Sequence, residues 1–278
     1  MISELLSRLS GITKIFGIEI KRSITIAKDT SQYGEEDLIK RLLETLQERS
    51  DSDFVLDIGA SNGIEASNTY PLFRKGSRGL AVEPDGNKFS ILAEMYKNFK
   101  VTLFRGYATP ENIINILKAS NSPKEPIFMS FDIDSYDYFV FESLLEEYRP
   151  SLICIEINEK IPPPLKFGVL YSPYHQYMGD HFYGMSISAL ADLCIKFNYD
   201  IIHLNYNNAF LITHEKNTMR SLTPEEAYRV GYKEKSDRKQ KFPWNGNMEA
   251  LQTMTPEEGM KFIDDFFKKY AGKYFLSV

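Results

Sequence analysis

Cysteine, tryptophan and histidine are scarce in this chain of 278 residues, which has two cysteines, one tryptophan and four histidines. Cys154 and Cys194 lie within the apolar patterns SLICIEI and LADLCIKF, where a thiol packs as a small hydrophobic side chain. So few cysteines argue against a disulfide framework or a structural zinc site. We therefore expect a reducing compartment and assign the chain to the cytoplasm.

A large excess of charge and a long apolar run are also lacking. Lysine and arginine number 33 against 38 aspartates and glutamates, which gives a formal net charge of −5. Because a surface that tracks phosphates needs an excess of basic residues, we do not expect a nucleic-acid partner. The N-terminal apolar runs are short and interrupted by charges, and they lack a signal-peptide pattern, so we expect no transmembrane segment.

Hydrophobic residues make up 43% of the chain, which is enough for one sizeable core and hence for one domain with extensions. From residue 54 to residue 157, apolar strands alternate with amphipathic helices. This is the pattern of βαβ units, in which a parallel sheet is covered on both faces. Two later apolar runs, 201–204 and 209–212, are spaced to form an antiparallel hairpin.

The segment DFVLDIGASNG, residues 53–63, predicts a buried strand, a tight turn and the start of a helix over residues 64–75. Gly59 and Gly63 bracket the turn, where glycine leaves backbone N–H groups open to a ligand. Glu83 ends the next strand, and a carboxylate there can accept both hydroxyls of a ribose. The G-x-G-x-x-G pattern of dinucleotide sites is missing, which favours a nucleoside without phosphates. We predict that this nucleoside is S-adenosylmethionine.

Acidic residues cluster after two strands that we expect to be neighbours. Asp132 and Asp134 follow the fourth strand, and Glu156 and Asn158 close the fifth. Because ligands bind beyond the carboxyl ends of parallel strands, these side chains should share one crevice with the glycine turn. Clustered carboxylates must hold protons, bind a cation or pair with bases. A bound Mg²⁺ or Mn²⁺ is one outcome, and a carboxylate that acts as general base on a substrate hydroxyl is the other.

A long loop follows the fifth strand, over residues 158–182, and includes three consecutive prolines. A loop of this length is usually functional, so we interpret it as a wall or lid on the substrate side, with His181 near its end as a candidate base. Beyond residue 214, the TPEE segments at Thr223 and Thr255 predict two helix starts. The basic stretch between them, KEKSDRKQKFPWNGN at 233–247, is typical of a solvent-exposed face.

Several short motifs resemble those of the FkbM-like branch of class I S-adenosylmethionine-dependent methyltransferases. They are SQYGEED at 31–37, DIGASNG at 57–63, SNT at 67–69, VEP at 82–84, FDID at 131–134, IEIN at 155–158, FYGMS at 182–186 and NAF at 208–210. The resemblance covers residues 31–212. It implies a Rossmann-like, seven-stranded, mostly parallel sheet with helices on both faces and an antiparallel last strand.

With this resemblance, the chain divides into an N-terminal extension of helix and strand (1–30), a methyltransferase domain (31–214) and a C-terminal helical extension (215–278). The resemblance implies methyl transfer from S-adenosylmethionine to a hydroxyl of a sugar, a glycan or another polar small molecule. The residues that would contact the cofactor are Gln32, Asp57, Gly59, Ala60, Asn62, Asn68, Glu83 and Asp132. Asp132, Asp134 and His181 would be catalytic, and a metal would be held by Asp132, Glu156 and Asn158. Related metal-dependent sugar O-methyltransferases carry two aspartates after strand five, whereas Glu156 and Asn158 stand here, so metal dependence stays open.

Two other functions stay open at the level of sequence. An NAD(P)-dependent oxidoreductase could use a similar sheet, although the missing G-x-G-x-x-G counts against it. A non-catalytic protein could keep the fold for assembly, because the terminal helices could mediate contacts in a homo-oligomer. Titrations with S-adenosylmethionine and with NAD would separate the three.

Overall fold

The computed structural model describes residues 29–47, 52–175 and 177–278, and its centre is a seven-stranded sheet in the order β3-β2-β1-β4-β5-β8-β7. The strands are β1 (Phe54–Ile58), β2 (Arg78–Glu83), β3 (Val101–Arg105), β4 (Phe128–Phe131), β5 (Leu152–Glu156), β6 (Lys166–Val169), β7 (Tyr199–Asn205), β8 (Asn208–Thr213) and β9 (Tyr274–Ser277). Strands β6 and β9 form a separate antiparallel pair.

The strand directions follow from the connections. Strands β1 to β5 pair in parallel, as expected where helices join successive strands. Strand β8 runs antiparallel to both β5 and β7. Only two residues separate β7 from β8, and so short a connection joins antiparallel neighbours. The predicted Rossmann-like sheet with an antiparallel last strand is therefore confirmed.

Helices cover both faces of this sheet and complete two apolar cores. They are α1 (Glu36–Gln47), α2 (Tyr70–Arg74), α3 (Gly86–Tyr96), α4 (Ile113–Ala119), α5 (Asp137–Leu145), α6 (Ile187–Phe197), α7 (Pro224–Tyr228), α8 (Arg238–Lys241) and α9 (Pro256–Phe266). Helices α1, α2 and α3 pack on one face with Val55 and Phe128. Helices α4, α5 and α6 pack on the other with Leu56 and Met129. Neighbouring strand residues thus point to opposite cores, as the strand repeat of two requires.

The segment after the glycine turn differs from its prediction, because the helix expected over residues 64–75 is limited to α2, Tyr70–Arg74. The segment after β1 runs as turns, with Ser61 and Ala66 at φ 50° and 55°, until α2 begins at Tyr70. Left-handed residues interrupt the helical hydrogen-bond pattern. The glycines serve packing: a Cβ at Gly59 would overlap the backbone carbonyl of Asp132, and one at Gly63 would press on the side chains of α3.

The loop at 158–182 also differs from a structureless wall, because β6 lies inside it. Phe167 and Gly168 pair with Leu276 and Phe275 near the C-terminus, so the loop is fastened by the end of the chain. The C-terminal extension is therefore partly strand, and its description as helical was incomplete. Long-range strand pairing of this kind leaves no local pattern in the sequence.

The two predicted helix starts in the extension are confirmed. Thr223 and Thr255 each cap a helix with a reciprocal capping box, in which the threonine hydroxyl accepts the N–H of Glu226 or Glu258 and the glutamate accepts the threonine N–H. Proline at the first helical position adds a preset φ.

The basic stretch between these helices is not simply a solvent-exposed face. Arg238 is buried and forms an ion pair with Glu249, while Phe242 is buried against Tyr33 and Tyr206. The stretch therefore folds back through both a buried aromatic residue, Phe242, and a buried charged one, Arg238.

The predicted N-terminal extension falls almost wholly outside the described residues. Within the described ranges, no helix is both long and apolar enough to cross a bilayer.

Candidate active site

A cavity of about 550 Å³ opens beyond the carboxyl ends of the central strands, where ligands bind in sheets of this type. At one end it is lined by Glu83, which ends β2, and by Tyr107 and Ala108, which follow β3. At the other end it is lined by Cys154 of β5 and Asn208 of β8. We call it the first cavity, and its volume suits a ligand of the size of a nucleoside.

Glu83 is held rigidly at the edge of the first cavity. Its Oε2 accepts the N–H of Ser61 at 2.8 Å and its Oε1 accepts the N–H of Asp85 at 2.7 Å. Each carboxylate oxygen can accept a second hydrogen bond. The carboxylate is thus oriented by the backbone and keeps two acceptor positions for a ligand.

Asp57 and Gly59 line the floor of the first cavity. The Asp57 carboxylate is buried and accepts a hydrogen bond from the Thr69 hydroxyl at 2.5 Å. Burial raises the pKa of Asp57 to about 7, even though the bond from Thr69 lowers it. Asp57 therefore holds the turn after β1 in place through Thr69. Its charged form is destabilised by burial.

Gln32 and Asn68 line the first cavity at the end formed by Cys154 and Asn208. Asn208 Nδ2 donates to Gln32 Oε1 at 3.4 Å, which fixes the segment before α1 against the end of the sheet. Asn68 Nδ2 donates to Cys154 Sγ at 3.4 Å, while its Oδ1 is buried without a partner. A buried, unpaired amide oxygen is costly unless a ligand or water satisfies it.

Of the residues predicted to contact the cofactor, Gln32, Asp57, Gly59, Ala60, Asn68, Glu83 and Asp132 line the first cavity. Asn62 does not appear among its lining residues. Its Oδ1 accepts the N–H groups of Ile64 and Glu65, and its Nδ2 donates to the Glu65 carboxylate. The side chain is thus occupied in shaping the turn.

Asp132, Asp134 and Glu156 come together at the ends of β4 and β5. One carboxylate oxygen from each lies within 4.8 Å of the others. Burial and the nearby Asp134 charge raise the pKa of Asp132 well above its usual range, and burial with the Asp132 charge does the same for Glu156. Burial also raises the pKa of Asp134, opposed by Lys88 and Lys160.

The loop after β4 holds Asp134 in an uncommon conformation, with φ at 52°. The next acid, Asp137, turns back and accepts the N–H groups of Ile133 and Ser135 at 3.2 and 2.9 Å. Burial raises the pKa of Asp137 to about 6. Asp137 therefore fixes the loop that presents Asp134, and a left-handed aspartate in such a loop is typical of functional sites.

A second cavity, of about 600 Å³, adjoins the first. Gln32, Asp134 and Tyr177 line both cavities, so Asp134 lies between them. Glu156 and Asn207 line the second cavity, and Asn207 Nδ2 donates to Glu156 Oε1 at 2.5 Å. The acidic group therefore lies at the junction of two spaces that could each hold a ligand.

His181 lines the second cavity and not the first. Burial, followed by the charge of Lys160, lowers the pKa of His181, which leaves its imidazole neutral at neutral pH. Asn158 lines neither cavity; its Nδ2 donates to the backbone carbonyls of His181 and Tyr183, each at 2.9 Å. The suggestion that Asn158 binds a metal stays a prediction. The residue whose carboxylate lies close to those of Asp132 and Glu156 is Asp134.

Sequence reasoning missed several lining residues of the two cavities. Asp85, Lys88 and Tyr107 line the first, and the strand-end position of Asp85, two residues after Glu83, was the available signal. His175 and Tyr177 lie within the predicted lid. Phe242 and Trp244 line the second cavity from the C-terminal extension, and no local pattern marked them.

Comparison with known proteins gives only distant likeness. No protein family matches the sequence, and no curated protein matches it. The chain is similar in structure to monomeric WbdD, with 16% identity over 68% of this chain and 42% of that chain and a TM-score of 0.42. It therefore spans less than half of the WbdD chain.

Two other similar structures are also of methyltransferases. One is the methyltransferase domain of bacterial CtHen1-C, with 12% identity over 64% of this chain and 98% of that chain and a TM-score of 0.38. The other is magnesium protoporphyrin IX methyltransferase from Synechocystis with bound SAM, with 8% identity over 64% and 79% and a TM-score of 0.39. Such distant likenesses concern the fold at most and do not indicate an activity for this chain.

Proposed function

We propose that the chain is an S-adenosylmethionine-dependent methyltransferase that methylates a hydroxyl of a sugar, a glycan or another polar small molecule. The observation that carries the proposal is that Asp134 lines both cavities. Glu83 is oriented to accept hydroxyls in the first cavity, and the carboxylates of Asp132, Asp134 and Glu156 lie where that cavity meets a second one.

The lining of the first cavity fits S-adenosylmethionine. Glu83 would accept the two ribose hydroxyls with its free acceptor positions. Gln32 and Asn68 offer amide groups to the amino-acid end, and the unpaired Oδ1 of Asn68 suits an ammonium group. The sulfonium methyl would then lie toward β4 and the acids.

Methyl transfer to a hydroxyl needs an in-line approach and one proton acceptor. The sulfonium supplies the electrophilic methyl group when the cofactor is bound. Asp134 touches both cavities and is our candidate for the residue that takes the hydroxyl proton. Its raised pKa favours this role, because a general base works best when its pKa approaches the working pH.

The acidic group also suits a divalent cation, and this second version of the mechanism stays open. Asp132 Oδ1 is buried without a hydrogen-bond partner, and Asp132, Asp134 and Glu156 offer oxygen ligands that Mg²⁺ or Mn²⁺ prefers. Such an ion would be held by these three residues and would lower the pKa of the acceptor hydroxyl.

The alternative of an NAD(P)-dependent oxidoreductase gains no support. Pyrophosphate binding in Rossmann sheets uses a helix that begins at the glycine turn, whereas residues 59–69 form turns before α2. Calorimetric titration with S-adenosylmethionine, S-adenosylhomocysteine and NAD⁺ tests the proposal. Binding of the first two alone supports it, binding of NAD⁺ alone refutes it, and binding of none favours a non-catalytic protein.

A further inference from the structure

We infer that the second cavity is the acceptor site and that the C-terminal extension builds it to receive an uncharged, hydroxyl-bearing ring. This inference rests on the proposed function and goes beyond it by naming the site, the part of the chain that forms it and the charge of its ligand. Part of the cavity lining comes from residues beyond 212, where the resemblance to methyltransferases ends.

The extension contributes a large part of the cavity lining. The residues from this part of the chain are Phe242, Trp244, Asn247, Phe266, Phe267 and Lys269. They are held against the domain by a buried network around Glu159: Asn245 Nδ2 donates to Glu159 Oε1 at 2.6 Å, and the Tyr228 hydroxyl donates to the Glu159 carbonyl at 2.6 Å. The cavity wall is therefore a fixed part of the fold.

Trp244 and Phe266 are two of the aromatic side chains that line the cavity. Trp244 is 57% exposed. Its ring packs edge-to-face against that of buried Phe242, with 5.6 Å between the ring centroids. An aromatic ring held by its neighbour and open on the other side offers its electron-rich face to the C–H groups of a saturated ring. Such a surface selects a ring with one apolar face.

The charges of the cavity favour a neutral ligand. Among the described lining residues, the lysines are Lys160 and Lys269, and each is already paired. Lys160 Nζ lies 3.2 Å from Glu159 Oε1 and 2.6 Å from the Tyr183 hydroxyl, and Lys269 Nζ lies 2.9 Å from Asp180 Oδ2. A phosphate or carboxylate would therefore meet no free cation, and it would approach Asp134 and Glu156.

Polar groups near the acids suit hydroxyls. Asn207 is 3% exposed and lines the cavity, and its Oδ1 has no hydrogen-bond partner. Buried polar atoms are normally paired, so this oxygen is available to accept a hydrogen bond from a hydroxyl of the ligand. It belongs to the side chain whose Nδ2 already holds Glu156, which would bring that hydroxyl beside the acidic group.

Trp244 is the single tryptophan of the chain, so its fluorescence reports directly on this cavity. The probes are the methyl glycosides of glucose, galactose and mannose and the 6-phosphates of the same hexoses, titrated to millimolar concentration with S-adenosylhomocysteine present. We expect a saturable change in emission with at least one neutral glycoside, and binding at least about tenfold weaker for its phosphate, because the phosphate would approach Asp134 and Glu156 and meet no free lysine.

Variants keep the test specific. Saturation-transfer NMR with the best glycoside should show binding retained in Trp244→Phe and lost in Trp244→Ala, while Val230→Ala, a 55% exposed apolar residue of the same extension outside the cavity lining, should match the wild type. The inference is overturned if no neutral glycoside binds, if a phosphate binds more tightly, or if Trp244→Ala binds as the wild type does. Calorimetry with S-adenosylhomocysteine separates this failure from failure of the proposed function, since that ligand would occupy the first cavity.

Discussion

At the scale of single residues, the acidic group at the ends of β4 and β5 is the feature that most needs a function. Three carboxylates with oxygens within 4.8 Å of one another repel each other unless they share protons or bind a cation. Buried carboxylates that repel one another destabilise the fold, and such groups of acids are concentrated at active sites. The group therefore predicts both a catalytic effect and a measurable effect of pH.

Replacement of Asp134 tests the catalytic effect. Asp134→Asn keeps the size of the side chain and removes the proton acceptor, so turnover should fall on the order of 10²–10⁴-fold while the affinity for S-adenosylhomocysteine stays close to that of the wild type. Steady-state kinetics of methyl transfer and calorimetry provide the two readings. An Asp134→Asn enzyme with normal turnover would exclude this residue as base and as an essential ligand.

A chelator separates the two versions of the mechanism. If Asp132, Asp134 and Glu156 hold a cation, excess EDTA should abolish turnover, and Mg²⁺ or Mn²⁺ should restore it. Full turnover in EDTA would mean that a carboxylate takes the proton without a metal. Magnesium-saturated EDTA is the control for effects of the chelator itself.

Asp57 links pH to stability. Its pKa is about 7 in the folded protein and about 4 in an unfolded chain. Between these values the unfolded state releases a proton that the folded state keeps, so the free energy of unfolding falls as pH rises from about 4 to about 7. Asp57→Asn should remove this loss and gain stability relative to the wild type, on the order of a few kcal/mol by neutral pH.

Urea unfolding across this pH range measures the effect. The matched control is Asp53→Asn, an exposed acid one residue before β1 that accepts hydrogen bonds from Arg78, which lower its pKa. Its contribution has the opposite sign, since the stability from the Asp53 pair is lost as pH falls. A constant difference between Asp57→Asn and wild type at all pH values would contradict the account.

Several of the residues named from the sequence line the two cavities, with instructive exceptions. Glu83 and the acids were found because strand ends share one edge of a parallel sheet. Asn62 was predicted as a cofactor contact, yet its side chain is used inside the turn, which depends on backbone angles that the pattern does not reveal. His181 was predicted as a base at the end of the lid and Asn158 as a metal ligand; His181 lines the second cavity and Asn158 lines neither, because the path of the loop decides where each side chain lies.

At the scale of elements, the pairing of β6 with β9 is the unexpected feature. It fastens the 158–182 segment to the C-terminus, and the part left exposed is short, with Tyr174 at 91% and Met178 at 70% exposure. His175 and Tyr177 from this part line the first cavity. The lid stays a prediction, and it now concerns mainly residues 172–175 and 177–179.

A ligand in the first cavity should protect this segment. We expect chymotrypsin to cleave after Tyr174 or Tyr177 in the free protein and to do so several-fold more slowly with S-adenosylhomocysteine, because ligand contacts order such loops. Cleavage after Trp244, which lines only the second cavity, serves as an internal control and should not change. Equal cleavage at all sites with and without the ligand would indicate a static wall.

Removal of β9 tests the fastening. A chain ending at Gly272 lacks the strand that pairs with Lys166–Val169, so cleavage at Tyr174 and Tyr177 should accelerate while the affinity for S-adenosylhomocysteine is kept. Val278→Ala, at the exposed end of the chain, is the control. Unchanged cleavage in the shortened protein would show that β6 holds its place without β9. The local sequence pattern could not predict the pairing of β6 with β9, since more than a hundred residues separate the two strands.

At the scale of the whole molecule, the extension packs into one of the two apolar cores of the domain. Tyr228, Met248 and Ile263 of the extension belong to the same apolar cluster as Leu56 of β1 and Leu190 of α6. Alternating strands and helices were enough to predict the sheet, because each element carries its own periodicity. The position of the extension at the second cavity depends on side-chain packing between distant segments. The hydrophobic periodicity of the sequence does not predict such packing.

The most direct test of the account is the affinity of S-adenosylhomocysteine for the wild type and for Glu83→Ala. Each ribose hydroxyl bond to a carboxylate is worth about 1.5–3 kcal/mol, so the variant should bind at least about tenfold more weakly, and Glu94→Ala, an exposed acid on α3, should bind as the wild type does. Calorimetry that finds equal affinity in Glu83→Ala, or no binding to the wild type, would contradict the assignment of the first cavity to this cofactor.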